Sequence, residues 1–264
     1  MSLHFQRIRP CVVIPVYDHE HAIGETAAGL ERFGLRVYLV DDGSGPACRA
    51  ALDALGARWP AWVRVLRHAV NQGKGAAART GCTAAQADGY THAVQVDADG
   101  QHDLDDLPRL LALAEETPDA LVTGIPVYDA SVPKARLYGR YLTHVWVWIN
   151  TLSLEIRDSM CGFRVYPLAA ALDLWHHAYI GRRMDFDTEM LVRLWWRGVP
   201  LRQLPTRVTY PRDGVSHFDL LWDNLRLTGM QTRLCIGMLL RLPILLARLL
   251  RRHLSPGAGA RGPA

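Results

Sequence analysis

VQVDADGQHD, Val94 to Asp103, is an apolar, β-prone run that ends in two aspartates one residue apart and passes at once into Gly100, Gln101 and His102. A carboxylate at the end of a buried strand is costly unless a cation or hydrogen-bond donors meet it. Two in succession point to a cation. Period-two geometry aims Asp97 and Asp99 to one side if the strand continues, and Gly100 lets the backbone turn toward a ligand. Mg2+ or Mn2+ suits such a pair, because these hard ions take few carboxylates and fill their other positions with phosphate oxygens and water. The competing reading is a strand-end aspartate that caps the next helix.

Outward from this stretch, strand-like runs alternate with amphipathic helical ones from Cys11 to about Gly124. CVVIPVY, LRVYLV, WVRVLRH, HAVQV and ALVTG are the strands, and the helix after LRVYLV opens at Pro46. Such alternation predicts β-α-β units and an α/β, doubly wound, mostly parallel sheet, whose ligands bind beyond the carboxyl ends of the strands. Those ends carry Tyr17-Asp18-His19-Glu20, Asp41-Asp42-Gly43-Ser44, Asn71-Gln72-Gly73-Lys74-Gly75 and Asp97-Ala98-Asp99. An acidic edge beside a glycine-rich turn with a lysine suits a nucleoside diphosphate.

Each motif has a plain alternative. In DDGS, Asp42 can accept a hydrogen bond from a base N–H, or the segment is only a turn into the helix at Pro46. NQGKG is neither a Walker A loop, because no Ser or Thr follows Lys74, nor a G-x-G-x-x-G fingerprint. Lys74 meets a phosphate or is a solvated loop lysine.

The second half is less regular. It holds a Trp- and Tyr-rich helix over 135–152, the segment DSMCGFRVYP, two more helices, a strand pair around LRQLPTRVTYP, and RDGVSHF. With 264 residues, 49% hydrophobic and 21% charged content, the chain suits one large globular domain. A net charge of +4, with the surplus near the C-terminus, argues against a generic nucleic-acid binder. Five scattered cysteines without a C-x-x-C pair read as buried thiols of a reducing compartment. MSLHFQRIRP has no apolar signal core, so the expectation is a cytosolic protein or one on the cytoplasmic face of a membrane.

The order IPVYDHE, VDDGS, NQGKGAAARTG, VDADGQHD, DSMCGFRVYP and RDGVSHF resembles family 2 glycosyltransferases of the GT-A fold, in the branch of dolichyl- and polyprenyl-phosphate sugar synthases. The resemblance covers roughly residues 10 to 218. It implies that Pro15, Tyr17 and Asp42 line the nucleoside pocket, with Glu20 displaced by one residue from the usual pattern. It implies that Asp97, Asp99 and Gln101 hold Mg2+ or Mn2+ and, through it, the diphosphate of a UDP- or GDP-sugar. Arg212 and Ser216 match the family's diphosphate segment, with His217 where lysine is usual. Lys134, Arg136 and Arg140 sit where acceptor-binding basic residues are kept, or are solvated. The implied chemistry is a single in-line displacement with inversion, in which the metal and Arg212 stabilise the leaving group. A phosphate acceptor needs no general base, whereas a hydroxyl does. For a hydroxyl, MDFDTE offers Asp185, Asp187 and Glu189 and DSMCGF opens on Asp158, with Asp187 first; the alternative is helix N-terminal carboxylates answering the dipole, Asp185 above all.

LCIGMLLRLPILLARLL, Leu234 to Leu250, is nearly all apolar but contains Arg241, Pro243 and Arg248. Arg233, Arg241, Arg248, Arg251 and Arg252 fall within a sector of roughly 100° on a helix. A broad apolar arc with one arginine stripe predicts a helix lying in the membrane interface and attracted to anionic lipid, kinked or split at Pro243. Its alternative is a helix packed on the core. The expected organisation is a catalytic domain over 1–218, amphipathic interface helices over 219–253 and a disordered tail over 254–264. Peripheral attachment suits a lipid acceptor, polyprenyl phosphate before a hydroxyl-bearing lipid, with or without a membrane protein partner. A catalytically silent nucleotide-sugar-binding protein is the remaining reading.

Overall fold

The computed structural model describes residue 3 and residues 5–128, 134–209 and 220–254, without the side chains of 134–138, 220 and 251–254. Seven strands form one sheet: β1 (Pro10–Val16), β2 (Val37–Asp41), β3 (Val63–Arg67), β4 (His92–Gln95), β5 (Leu121–Tyr128), β6 (Arg164–Pro167) and β7 (Leu201–Val208), in the order β3-β2-β1-β4-β6-β5-β7. β1 pairs in parallel with β2 and β4, and β2 with β3. β6, which the motif DSMCGFRVYP had concealed, is inserted antiparallel between β4 and β5. The strand pair expected around LRQLPTRVTYP is instead the single strand β7, parallel to β5 over eight residues. Pro205 fits there because β7 lies on the sheet edge, where among the described residues its outer side meets only the bridge from His102 to Val208.

Both faces of the sheet are covered, which is why β1 and β2 are buried at every position. Val12, Ile14, Leu39 and Val94 point to one face and meet α1 (Ile23–Glu31), α2 (Pro46–Arg58) and α4 (Leu107–Glu116). Helix α4 shows the logic: Leu107, Leu110, Leu111 and Ala114 recur at helical spacing and are all buried. Cys11, Val13, Tyr38 and Val40 point the other way, to α3 (Lys74–Ala87), α5 (Lys134–Thr151), α6 (Leu168–His177), α7 (Phe186–Trp196) and α8 (Leu220–Leu254). The chain leaves β1 toward β2 and β3 on one side and toward β4 on the other. A crevice therefore opens at the carboxyl ends of β1 and β4.

Helix α8 departs from expectation in two ways. It runs unbroken through Pro243 for 35 residues. Its arginines face the protein: Arg233 pairs with Glu189 and Asp185, Arg241 lies over the Trp196 ring, and Arg248 donates to the carbonyls of Trp195 and Trp196 at the end of α7. Trp195 O also accepts from Gly198 N–H at 2.9 Å, and the guanidinium adds a charged donor to these last-turn carbonyls. Met230, Leu234, Met238 and Leu245 are buried on the same side. Ile236, Leu239, Leu240 and Leu250 are exposed on the other. The arginine stripe is thus used for packing and the apolar arc is left outside. Arg251 and Arg252 have no described side chains. Among the described residues no helix is long and apolar enough to cross a membrane.

This orientation predicts opposite outcomes for two leucines five residues apart. Leu234→Ala should cost about 2–5 kcal/mol in urea unfolding, and Leu239→Ala less than about 0.5 kcal/mol.

Candidate active site

A cleft of about 590 Å³ lies over the carboxyl ends of β1 and β4. Pro15 and Tyr17 reach it from the end of β1, Asp42 from the end of β2, Lys74 from the start of α3, and Asp97, Asp99 and Gln101 from beyond β4. Arg140 of α5 and Asp187 of α7 complete the set of expected residues in its wall. Glu20 and Asp158 do not line it. Arg212, Ser216 and His217 lie outside the described residues, as do the side chains of Lys134 and Arg136.

At the centre, three carboxylates crowd one lysine. Lys74 Nζ is 2.7 Å from Asp97 Oδ1 and 2.8 Å from Asp187 Oδ2. Burial would push the lysine down, but Asp187 and Asp97 hold it well above its ordinary value, so it stays cationic. The second oxygen of Asp97 meets His102 Nε2 at 3.2 Å, and His102 stacks on Phe163 with ring centroids 5.1 Å apart. Burial opposes the Asp97 charge, yet Lys74 and His102 hold its carboxyl well below the usual range. Asp99 receives weaker help, from His102, the Gln101 N–H at 3.1 Å and Lys74, and it does not prevail. Burial, and then the charge of Asp97, raise its affinity for a proton. That repulsion is what a divalent cation between them would relieve. The Asp97 side chain is 24% exposed, so such an ion can reach it. Asp97, Asp99 and the Gln101 amide are hard oxygen donors, too few to enclose an ion and suited to one that shares its shell with a diphosphate.

NQGKG does not cradle a ligand with its glycines. Gly73 has φ +105°, and a Cβ there would lie 2.3 Å from the Arg182 carbonyl. The turn is therefore pressed against the chain at 182–186, with Gly75 N–H donating to Arg182 O at 2.8 Å. Asp42 fastens it from below. Its two oxygens accept from Gln72 N–H at 2.9 Å and Gly73 N–H at 2.7 Å, and one also meets His68 Nδ1 at 2.7 Å. The residue expected to read a base thus also builds the turn that aims Lys74.

Neither candidate base is idle. Asp187 accepts from Lys74 on one oxygen and from Gln95 Nε2 on the other at 2.9 Å. Asp158 sits behind Arg140, which donates to both of its oxygens at 2.7 Å. His144 Nε2 lies 3.3 Å from Oδ2 of Asp158. Burial opposes ionisation of Asp158, but His144 and Arg140 prevail and hold it well below the usual range. Arg140 also lies over the Tyr128 ring at 5.5 Å, which fixes the face it turns to the cleft.

Sequence reading gave no role to Gln95, His102, His144 or Arg164. His102 was visible in VQVDADGQHD, but only the fold turns its ring onto Asp97. Arg164, fully buried, donates to the carbonyls of Ser159 at 2.6 Å and Asp187 at 2.5 Å. It ties DSMCGF to the start of α7. Gly162 of that segment is a close-approach position, since a Cβ there would lie 2.4 Å from Asp97 Oδ2. The wall also includes Trp222, Arg226 and Leu227 of α8, a helix expected to stand apart from the catalytic domain.

A doubly wound sheet with a carboxylate pair at its switch point is the architecture of GT-A glycosyltransferases, and the comparisons agree. Residues 11–171 match the model of the family described as "Glycosyl transferase family 2", so the chain belongs to that family and is a glycosyltransferase. A dolichyl-phosphate beta-glucosyltransferase of Drosophila melanogaster is 27% identical over 220 residues, covering 75% of this chain and 66% of that protein. A polyprenol monophosphomannose synthase of Mycolicibacterium smegmatis is 26% identical over 221 residues, covering 79% and 80%. Among solved structures, glucosyl-3-phosphoglycerate synthase of Mycobacterium tuberculosis, in complex with Mn2+, UDP-glucose and phosphoglyceric acid, superposes with TM-score 0.64 at 16% identity, covering 86% of this chain and 80% of that one. A mannosyltransferase of Pyrobaculum calidifontis, in complex with GDP-mannose and Mn2+, gives TM-score 0.55 at 15% identity, covering 97% and 77%. At these identities the structural likeness establishes the fold.

The Asp158 cluster predicts a specific acid limb. Its folded value lies below its unfolded one of about 3.9, so its contribution is present above that pH and fades as pH falls further. In urea unfolding from pH 7 to pH 3, Asp158→Asn should be less stable than wild type at pH 7 by about 3–5 kcal/mol, because Arg140 loses its partner. The difference should narrow below about pH 4.

Proposed function

We propose that the chain transfers a hexosyl group from a UDP- or GDP-sugar to polyprenyl phosphate at the cytoplasmic face of a membrane, with inversion and with Mg2+ or Mn2+. The observation that carries the acceptor class is the state of the candidate bases. Asp187 is held on both oxygens by Lys74 and Gln95, and Asp158 is held by Arg140 and His144. Both oxygens of each carboxylate already accept a hydrogen bond from the protein, an arrangement that suits a nucleophile arriving already anionic. The relatives named for dolichyl phosphate and polyprenol monophosphomannose support the same choice.

In this reading Pro15, Tyr17 and Asp42 form the nucleoside side. Asp97, Asp99 and Gln101 would hold the metal, whose charge when bound offsets that of the departing diphosphate. Arg212, Ser216 and His217 are the proposed further diphosphate contacts. Lys74 and His102 keep Asp97 ionised and oriented. Arg140, clamped by Asp158, presents its remaining edge to the acceptor phosphate from the far side of the cleft, with Lys134 and Arg136 earlier on the same helix. Asp187 sits between the two substrates and orients the sugar.

The lipid approaches along α8 and α5. Ile236, Leu239, Leu240, Ile244 and Leu250 of α8 and Tyr141, Leu142 and Trp146 of α5 are exposed. Exposed apolar area of this extent supports a helix resting in the interface. The attraction is then apolar rather than electrostatic, because Arg233, Arg241 and Arg248 face inward.

The test incubates protein, Mn2+ and membranes with labelled UDP- and GDP-sugars, then treats the labelled lipid with mild acid. Rapid release of sugar is expected, as for a glycosyl phosphate. Acid-stable label would mean a hydroxyl acceptor, with Asp187 as its base. Asp99→Asn should reduce turnover about a hundredfold or more. Arg140→Met should raise the acceptor KM about tenfold, the equivalent of about 1.4 kcal/mol, and leave the donor KM unchanged. A larger effect on the donor would remove Arg140 from the acceptor side.

A further inference from the structure

One buried carboxylate joins α8 to the wall of the cleft. Glu189, in the first turn of α7, is fully buried. Its Oε1 meets Arg193 at 2.7 Å, and its Oε2 meets Arg233 Nη2 at 2.8 Å and accepts from Gly181 N–H at 2.9 Å. The same Arg233 nitrogen is 3.5 Å from Asp185 Oδ2, and the guanidinium lies 5.0 Å over the Tyr179 ring. Gly181 and Asp185 bound a short loop between α6 and α7. That loop is the surface against which NQGKG is pressed: Arg182 O accepts from Gly75 N–H at 2.8 Å, and Arg183 Nη1 donates to Asn71 Oδ1 at 2.8 Å.

Arg233 therefore stands between two carboxylates that would otherwise repel each other. Without it, Glu189 keeps Arg193 on one oxygen, but the oxygen facing Gly181 and Asp185 has no cation. Glu189 is fixed within a helix, so the loop carrying Asp185 is the part that yields. We propose that Arg233 is a positioning residue: its ion pairs with Glu189 and Asp185 clasp loop 181–185 onto the NQGKG turn, so that an ordered turn beneath Lys74 depends on the seating of α8. Naming that wall the nucleotide side rests on the proposed function. The clasp itself rests only on the geometry.

The experiment measures amide hydrogen exchange of the full chain in Arg233→Met, Arg233→Lys and Arg248→Met, together with calorimetric binding of UDP and GDP in Mn2+. Arg248→Met removes an inward arginine of the same helix that does not touch the loop. In Arg233→Met, exchange at the Gly75 and Gly181 amides should rise about tenfold or more, nucleotide affinity should fall about tenfold, and Tm should drop no further than in Arg248→Met. Arg233→Lys, which keeps the charge and loses the fork, should restore part of both effects. Should Arg233→Met not fold, Arg233→Lys carries the test with a smaller shift of the same sign. Unchanged exchange at Gly75, or an equal rise in Arg248→Met, would overturn the clasp. If wild type binds neither nucleotide, the proposed function fails, and the exchange measurements still decide the clasp.

Discussion

Three carboxylates, Asp97, Asp99 and Asp187, converge where the strands end, and the rest of the site is organised around making that crowding tolerable. Lys74 is the main answer. It bridges Asp97 and Asp187 at hydrogen-bond distance, and its own desolvation is repaid only because both partners are present. To stand there it needs the turn that Asp42 fastens and that Gly73 allows to approach residue 182. Asp97 needs His102, and His102 needs the Phe163 ring that the β6 segment brings beneath it. At Asp99 burial and the charge of Asp97 outweigh the help of His102, Gln101 and Lys74, and that marks the direction from which a further cation would be welcome.

The same economy of charge shapes the C-terminal helix. Three of its arginines, Arg233, Arg241 and Arg248, answer a buried carboxylate, an indole face and the last-turn carbonyls of α7. A guanidinium lowers its energy more by meeting such groups in a partly dry site than by standing in water. Once these contacts turn one side of α8 inward, its leucines and isoleucines have only the outside left. The helix is amphipathic, as its spacing implied, but its polar stripe is the inner one. That helix also supplies Trp222, Arg226 and Leu227 to the cleft, so the division expected near residue 218 does not separate it from the site.

Most of the sheet was legible because buried parallel strands are continuous apolar runs and the helices between them repeat at 3.6 residues. β6 was not, because four residues in an antiparallel insertion leave no periodic signal, and its neighbour Asp158 drew attention instead. β7 was read as a strand pair, whereas it is one edge strand, which tolerates Pro205 within it. Among candidate site residues, those at strand ends followed from topology, namely Tyr17, Asp42, Lys74, Asp97 and Asp99, with Pro15 added by the family resemblance. Those whose part depends on a partner far along the chain did not. Gln95 faces Asp187 across 92 residues, and Arg164 reaches its carbonyl.

By itself the sequence determined the fold class, the family and the edge of the sheet where the candidate site lies, because these follow from local periodicity and from short motifs whose residues are near neighbours. Tertiary structure alone decided which carboxylates are already neutralised, which face of α8 is buried and what the glycines of NQGKG approach. Charge pairing depends on distance in space and on the loss of water around each group, and neither can be computed from the order of residues until the chain has brought them together.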